Sequence, residues 1–360
     1  MLLFISNGFG EDLIAREIIK NILEIKDIKI FVLPLVGEGK AYLNLPIEIL
    51  NPRRDFPSGG FAFRSSLKYI FKDLRNGLFS FQKEQLRTLR GFREKKIEVV
   101  CVGDTYNLVM GSFTQKRSFF LPTAKSILNS SFYFPEIYLM KKLAKFIFTR
   151  DEPTCKYLKN FIPQTFYLGN PMFDGLENGE EKYEDIIALL PGSREESIAN
   201  IELMLKACEI VFKEFPNFRY IIIVSPYLPE KYGDYFRNII KKFDLPVTIS
   251  FGNFSSIVKK AYIILGLAGT ANEQAVFLKK LVVSFPGKGP QITSKFLKMQ
   301  KALLGEGLEV VNNYKEAGER IIYFIKNPEE VRLRGEKGRE RLGDKGADKI
   351  AKFILENINL

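Results

Sequence analysis

Short, wholly apolar runs alternate along this chain with amphipathic stretches. Residues 2–6 form one such run, followed by Asn7-Gly8-Phe9-Gly10-Glu11-Asp12 and then Leu13, Ile14, Ile18, Ile19 and Ile22 at helical spacing. A run of this kind predicts a strand buried on both faces, and the spacing after it a helix that covers one face. The pattern recurs with strands expected at 28–33, 97–102, 118–121 and 146–149 and a helix from Pro153, which predicts a parallel sheet covered on both sides. Leu168-Gly169-Asn170-Pro171 then breaks the pattern, and 175–185 is polar, acidic and Gly-bearing, as a linker would be. A second series begins at Ile186, with strands expected at 186–190, 220–224, 247–250, 263–265, 281–285 and 308–311. Asn327 and Pro328 read as the N-cap and first turn of a helix, and 347–358 as a closing amphipathic helix. The fold class expected is α/β, with two Rossmann-like halves.

Composition narrows the chemistry. At 360 residues the chain is too long for one ordinary core, and an apolar content of 46% is that of a globular protein. No apolar stretch is long enough to cross a bilayer, and the start lacks the basic flank of a signal peptide, so a cytoplasmic location is expected. The three cysteines, Cys101, Cys155 and Cys208, are far apart and in no metal-ligand spacing, and they read as reduced residues. Histidine is absent, which excludes a Ser-His-Asp triad, a His base and His-ligated zinc and leaves carboxylates as the acid-base groups. A net charge of +12 points to anionic partners, or to a solvated Lys-rich surface.

Three loops of the second half follow strands and carry phosphate-type chemistry. In the first, Pro191-Gly192-Ser193-Arg194, Gly192 admits a ligand to the backbone, Ser193 can donate and Arg194 carries a permanent charge. In the second, small residues at Gly269 and Ala271 open backbone N–H groups, Thr270 adds a hydroxyl, and a carboxylate such as Glu273, one turn into the helix, can hold a ribose. The third, Pro286-Gly287-Lys288-Gly289-Pro290-Gln291, is rigid and basic, bringing Lys288 and Gln291. In the first half, Asp104 stands where a strand ends and a helix begins, the place where open sheets display reactive groups; it is equally suited to cap that helix. Glu11 and Asp12 suit the start of their helix as dipole partners or as a carboxylate pair facing a hydroxyl. From Arg53 to Lys96, aromatics interleave with Lys and Arg, which fits either an anionic membrane surface or a helix whose aromatics pack inward. No nucleic-acid fold signature accompanies that charge.

The motifs LLPGSRE, GTA with its acidic helix start, GDTYNL and Leu168-Gly169-Asn170-Pro171-Met172 together resemble the lipid-A-disaccharide synthase family, and more remotely enzymes using UDP-N-acetylglucosamine. The likeness is densest from 168 to about 305. It implies a GT-B fold, two Rossmann-like domains with parallel sheets facing across a cleft: 1–168 for the acceptor, 186–342 for the nucleotide sugar, and a helix in 343–360 returning to the first domain. It implies an inverting, metal-independent transfer of a sugar, of the N-acetylglucosamine type, from a UDP donor to a lipid, glycolipid or otherwise hydrophobic acceptor. The UDP-sugar is a co-substrate and no cofactor or metal is implied.

By position, Gly192, Ser193, Arg194, Gly269, Thr270 and Ala271 would meet the donor, joined by Glu273, Gln274, Lys288 and Gln291. Asp104 would be the base, helped by Glu11 and Asp12, with Asn7, Gly8, Gly10 and Asn107 on the acceptor side. Two positions depart from the family pattern: Phe9 stands where relatives tend to carry His, and Gln274 where the synthase carries Glu. The expected protein is a peripheral enzyme on the inner face of the membrane. Alternatives on the same fold are a UDP-N-acetylglucosamine 2-epimerase and a non-catalytic nucleotide-sugar binder.

Overall fold

The computed structural model describes residues 1–54, 77–123, 125–177, 179, 182–192, 196–224, 231–288 and 292–358. It divides into two compact units, Met1–Gly175 with Gly343–Leu360, and Leu176–Leu342.

The first unit holds β1 (Leu2–Ser6), β2 (Ile30–Pro34), β3 (Glu48–Ile49), β4 (Glu98–Gly103), β5 (Ser118–Pro122), β6 (Ala144–Phe148) and β7 (Thr165–Phe166). They form one parallel seven-stranded sheet in the order β3-β2-β1-β4-β5-β6-β7. Because side chains alternate across a strand, both faces of these apolar runs must be covered. Leu2, Phe4, Val100 and Val102 pack on one side with Ile14, Ile18 and Ile22 of the helix Phe9–Ile25. Leu3, Ile5, Val99 and Cys101 pack on the other with Leu108 of Thr105–Ser112 and Ile137 of Phe134–Leu143.

The last helix, Ala347–Asn357, belongs to this unit. Its Ile350, Ala351 and Ile354 complete the first of these faces, and Phe353 meets the rings of Phe146, Phe148 and Phe166. Its start is held by Asp174, whose Oδ2 accepts from the N–H groups of Gly346 at 2.8 Å and Ala347 at 3.1 Å.

The second unit holds β8 (Glu184–Leu190), β9 (Arg219–Val224), β10 (Val247–Phe251), β11 (Ala261–Gly266), β12 (Val282–Ser284) and β13 (Leu308–Val310). This sheet is also parallel, in the order β10-β9-β8-β11-β12-β13. The helix Glu196–Glu214 covers it with Ile201, Met204, Leu205 and Cys208. All three cysteines are free thiols in buried positions.

Several expectations shift. The two-residue strands β3 and β7 carry no apolar run and join the sheet edges only because longer neighbours offer a ladder. Asn327 does not cap the helix Pro328–Glu340 through its side chain, which donates instead to Tyr323 O at 2.7 Å. Much of the basic aromatic segment, 55–76, lies outside the described residues. In its described part, the helix Leu78–Arg90 turns Phe81 and Leu89 inward, Phe92 follows them into the core, and Lys83, Arg87 and Arg90 face solvent. Phe79 is the exception at 73% exposure. This part therefore follows the inward-packing reading. Among the described residues, no helix is long and apolar enough to cross a membrane.

Candidate functional site

In an open parallel sheet the ligand crevice lies beyond the carboxyl ends of the two strands where the order reverses. Each unit has one such point: β1 beside β4 in the first, β8 beside β11 in the second.

At the first, β1 runs out into Asn7 and Gly8, and Gly8 O accepts from Asp12 N at 2.9 Å to start the helix. Glu11 Oε2 lies over Gly8, 3.4 Å from where a Cβ would stand. The side-chain oxygen of Asn7 is buried with no hydrogen-bond partner among the described residues. Gly10 and Glu11 are partly exposed in the first turn. Beside them β4 ends at Gly103, and Asp104 caps the next helix by accepting from Tyr106 N at 2.9 Å. Capping engages one oxygen of a carboxylate that has about four acceptor positions, so the cap and a base role are compatible. Burial, joined by the negative charge of Asp104, pushes the Tyr106 hydroxyl up to about 12 against an opposing hydrogen bond from Gln82. Tyr106 therefore stays neutral beside Asp104 near neutral pH.

Two residues assigned to this edge act from beneath it. Asn107 is wholly buried, because the third residue of the helix faces the sheet, and its amide donates to Val102 O at 3.0 Å and Ile5 O at 3.4 Å. It ties β4 to β1 from beneath the edge. Asp12 is 2% exposed and faces inward toward Tyr42, whose hydroxyl lies 3.5 Å from Asp12 Oδ1 and 2.7 Å from Ser6 Oγ. Burial first, then the charge of Asp12, raises Tyr42 well above its ordinary value. Asp12 thus anchors the loop from inside, facing Tyr42. Ser6 and Tyr42 carried no sequence signal, since their meeting depends on the 3-10 turn Lys40–Tyr42 reaching β1.

At the second switch point, Leu190 O accepts from Leu267 N at 2.8 Å, so the loops after β8 and β11 run side by side. Gly192 has φ 99°, and a Cβ there would stand 3.2 Å from Leu267 O; both the conformation and the space favour glycine. Ser193 and Arg194 lie outside the described residues, as does Gln291. The helix Thr270–Phe277 begins at the edge, and Gly269, Thr270 and Ala271 are partly exposed there. The N–H groups of Gly269, Thr270 and Ala271 at its start have no intrahelical acceptor, as at any helix start. Glu273 is buried at 9% exposure, whereas Gln274 is partly exposed. Lys288 is exposed, and its backbone is held from below: Asn200, 2% exposed, accepts from Lys288 N at 2.8 Å. The described residues of the three loops proposed from the sequence therefore share one sheet edge.

Comparison with known proteins adds two findings. The chain is 26% identical over 158 residues to a lipid-A-disaccharide synthase of Methylobacillus flagellatus, covering 39% of this chain and 40% of the relative. It is 28% identical over 182 residues to one of Paraburkholderia phymatum, covering 45% and 44%. The chain thus matches about two-fifths of the length of these curated relatives. No family model matches it. Among solved structures, an S. aureus MnaA–UDP co-structure superposes with a TM-score of 0.61 at 15% identity, covering 99% of this chain and 97% of that one. Acinetobacter baumannii MurG gives 0.59 at 14%, covering 99% of each. The UDP-GlcNAc 2-epimerase of Methanocaldococcus jannaschii gives 0.57 at 18%, covering 99% and 100%. These likenesses concern the fold. In sequence the chain is similar to lipid-A-disaccharide synthases, and in fold it is a GT-B protein built from two doubly wound parallel sheets.

Proposed function

We propose that the chain is an inverting glycosyltransferase that moves a sugar from a UDP donor to a lipid-linked or otherwise hydrophobic acceptor. The observation that carries this reading is a difference between the two switch points: Glu11 and Asp104 border the first, and glycine turns at a helix start border the second. Asp104 takes the proton of the acceptor hydroxyl as its oxygen bonds to the anomeric carbon. The bond from that carbon to the β-phosphate oxygen breaks, and UDP leaves with the electron pair. The second unit holds the donor through the first-turn N–H groups at Gly269–Ala271, with Arg194 and Lys288 supplying charge for the departing diphosphate. Gln274, partly exposed, is better placed than the buried Glu273 to reach a ribose. The relatives' name supports a lipid acceptor, and a lipid acceptor would bring the protein to a membrane surface.

The test is an assay of purified protein with UDP-N-acetylglucosamine, a lipid extract and a chelator. UDP release that needs both the lipid and Asp104 supports the transfer. Equal release by wild type and Asp104→Asn sinks the base assignment. Conversion of the sugar with no acceptor, read by NMR, would make the chain an epimerase instead.

A further inference from the structure

The turn after β11 is shaped by a side chain from a distant helix. Gln300, on the helix Ser294–Leu304, is 3% exposed. Its Nε2 donates to Ala268 O at 3.3 Å and to Gly269 O at 3.0 Å. Its Oε1 accepts from Asn272 Nδ2 at 3.1 Å, and Asn272, wholly buried, also donates to Gly266 O at 3.3 Å. Both amides are thus committed to the backbone of this one turn and to each other.

The consequence follows from peptide geometry. A trans peptide is planar, with its C=O and N–H pointing opposite ways. Two successive carbonyls drawn toward Gln300 turn the N–H groups of Gly269 and Thr270 away from it. Gly269 O also accepts from Asn272 N at 3.1 Å and Glu273 N at 3.4 Å, which fixes that peptide within the helix start. Successive N–H groups aimed the same way form a concavity for an anion. We infer that Gln300, braced by Asn272, is a positioning residue that presents the Gly269 and Thr270 N–H groups to the diphosphate of a nucleoside diphosphate donor. This rests on the donor assignment proposed above and adds a residue that never touches the ligand.

Two variants test it. Gln300→Glu keeps the size and can still accept from Asn272, but a carboxylate cannot donate to two carbonyls; Gln300→Leu removes both functions. Thermal melting confirms that each variant is folded. UDP and uridine are then titrated calorimetrically, and amide hydrogen exchange is read over 266–273 without ligand. The expected result is roughly tenfold weaker UDP binding with uridine changed by less than about twofold, since only the diphosphate meets these N–H groups. Exchange over 266–273 should be faster in both variants. Equal weakening of UDP and uridine, or no weakening of either, overturns the inference while leaving the donor assignment standing. If the wild type binds neither ligand, the donor assignment is what fails. The exchange arm still decides the positioning: rates unchanged from wild type overturn it, and faster rates sustain it.

Discussion

The two sheets share a strand order around their switch points, yet the edges they present differ in chemistry. The first edge carries Asp104 and Glu11 over a buried Ser6–Tyr42–Asp12 group. The second carries glycine turns, a helix start and Lys288, supported from beneath, among the described residues, by the amides of Asn200, Asn272 and Gln300. One device is common to both. Asn107 and Asn272 each occupy the third position of the helix after the central strand, and each amide holds a carbonyl at that strand's end. In both units the strand ends in a glycine, against which the Asn oxygen sits. Topology therefore sets where a ligand can lie, and the side chains at the edge decide whether that place suits a proton transfer or an anion.

The largest effect expected from breaking this contrast is at Asp104. Asparagine is as good a cap as aspartate, so Asp104→Asn should leave melting nearly unchanged. Loss of the base should lower turnover roughly 10²- to 10⁴-fold, with UDP binding intact. A variant that loses UDP affinity in step with turnover would place Asp104 in donor binding instead.

Next in size is Gly266→Ala. A Cβ there would stand 2.1 Å from Asn272 Oδ1 and 3.1 Å from Val282 Cγ1, so the buried amide must move. Overpacking of this kind costs about 1–3 kcal/mol, to be read from urea unfolding. Adding Asn272→Ala should recover part of that loss, and a double variant no better than the single one would show that the amide is not what the methyl meets.

A smaller effect is expected at Tyr42, where Tyr42→Phe should cost about 1 kcal/mol near pH 7 through the lost hydroxyl contacts with Ser6 and Asp12. Its pH dependence has a definite sign. Burial holds Tyr42 above its ordinary 10.0, so the neutral form is favoured in the fold. That stabilisation is complete below pH 10 and is lost as pH rises through and beyond this value. Cys101 and Tyr106, each pushed up to about 12 chiefly by burial, act with the same sign from their ordinary 9.0 and 10.0 upward. Alkaline unfolding curves should therefore be shallower for Tyr42→Phe than for wild type above pH 10. Parallel curves would show that Tyr42 does not report the buried group.

Much of this was legible in the sequence because buried parallel strands announce themselves. Apolar runs such as Ile186 to Leu190 can be satisfied only with both faces covered, and the Gly-bearing breaks after them fall at the carboxyl edge. Asp104 could be placed at a strand end from its neighbours alone. The supporting residues could not. Gln300 lies 31 residues from Gly269 in sequence, on a helix whose apolar periodicity gives no reason to single it out. Asn107 sits in a motif, but only the helix phase shows that it points into the sheet. Asp12 looked like Glu11 until Tyr42, 30 residues away, was seen beside it. Helix phase and long-range hydrogen bonds are what periodicity leaves out.

On the proposed reading the second edge holds a nucleoside diphosphate while the first is reserved for the acceptor and its proton. Amide hydrogen exchange with and without saturating UDP tests it most directly, because both edges report in one experiment. Slower exchange is expected over 266–273 and at 286–288, with 7–12 and 103–107 unchanged. Protection at 7–12 or 103–107 with none over 266–273 would contradict it.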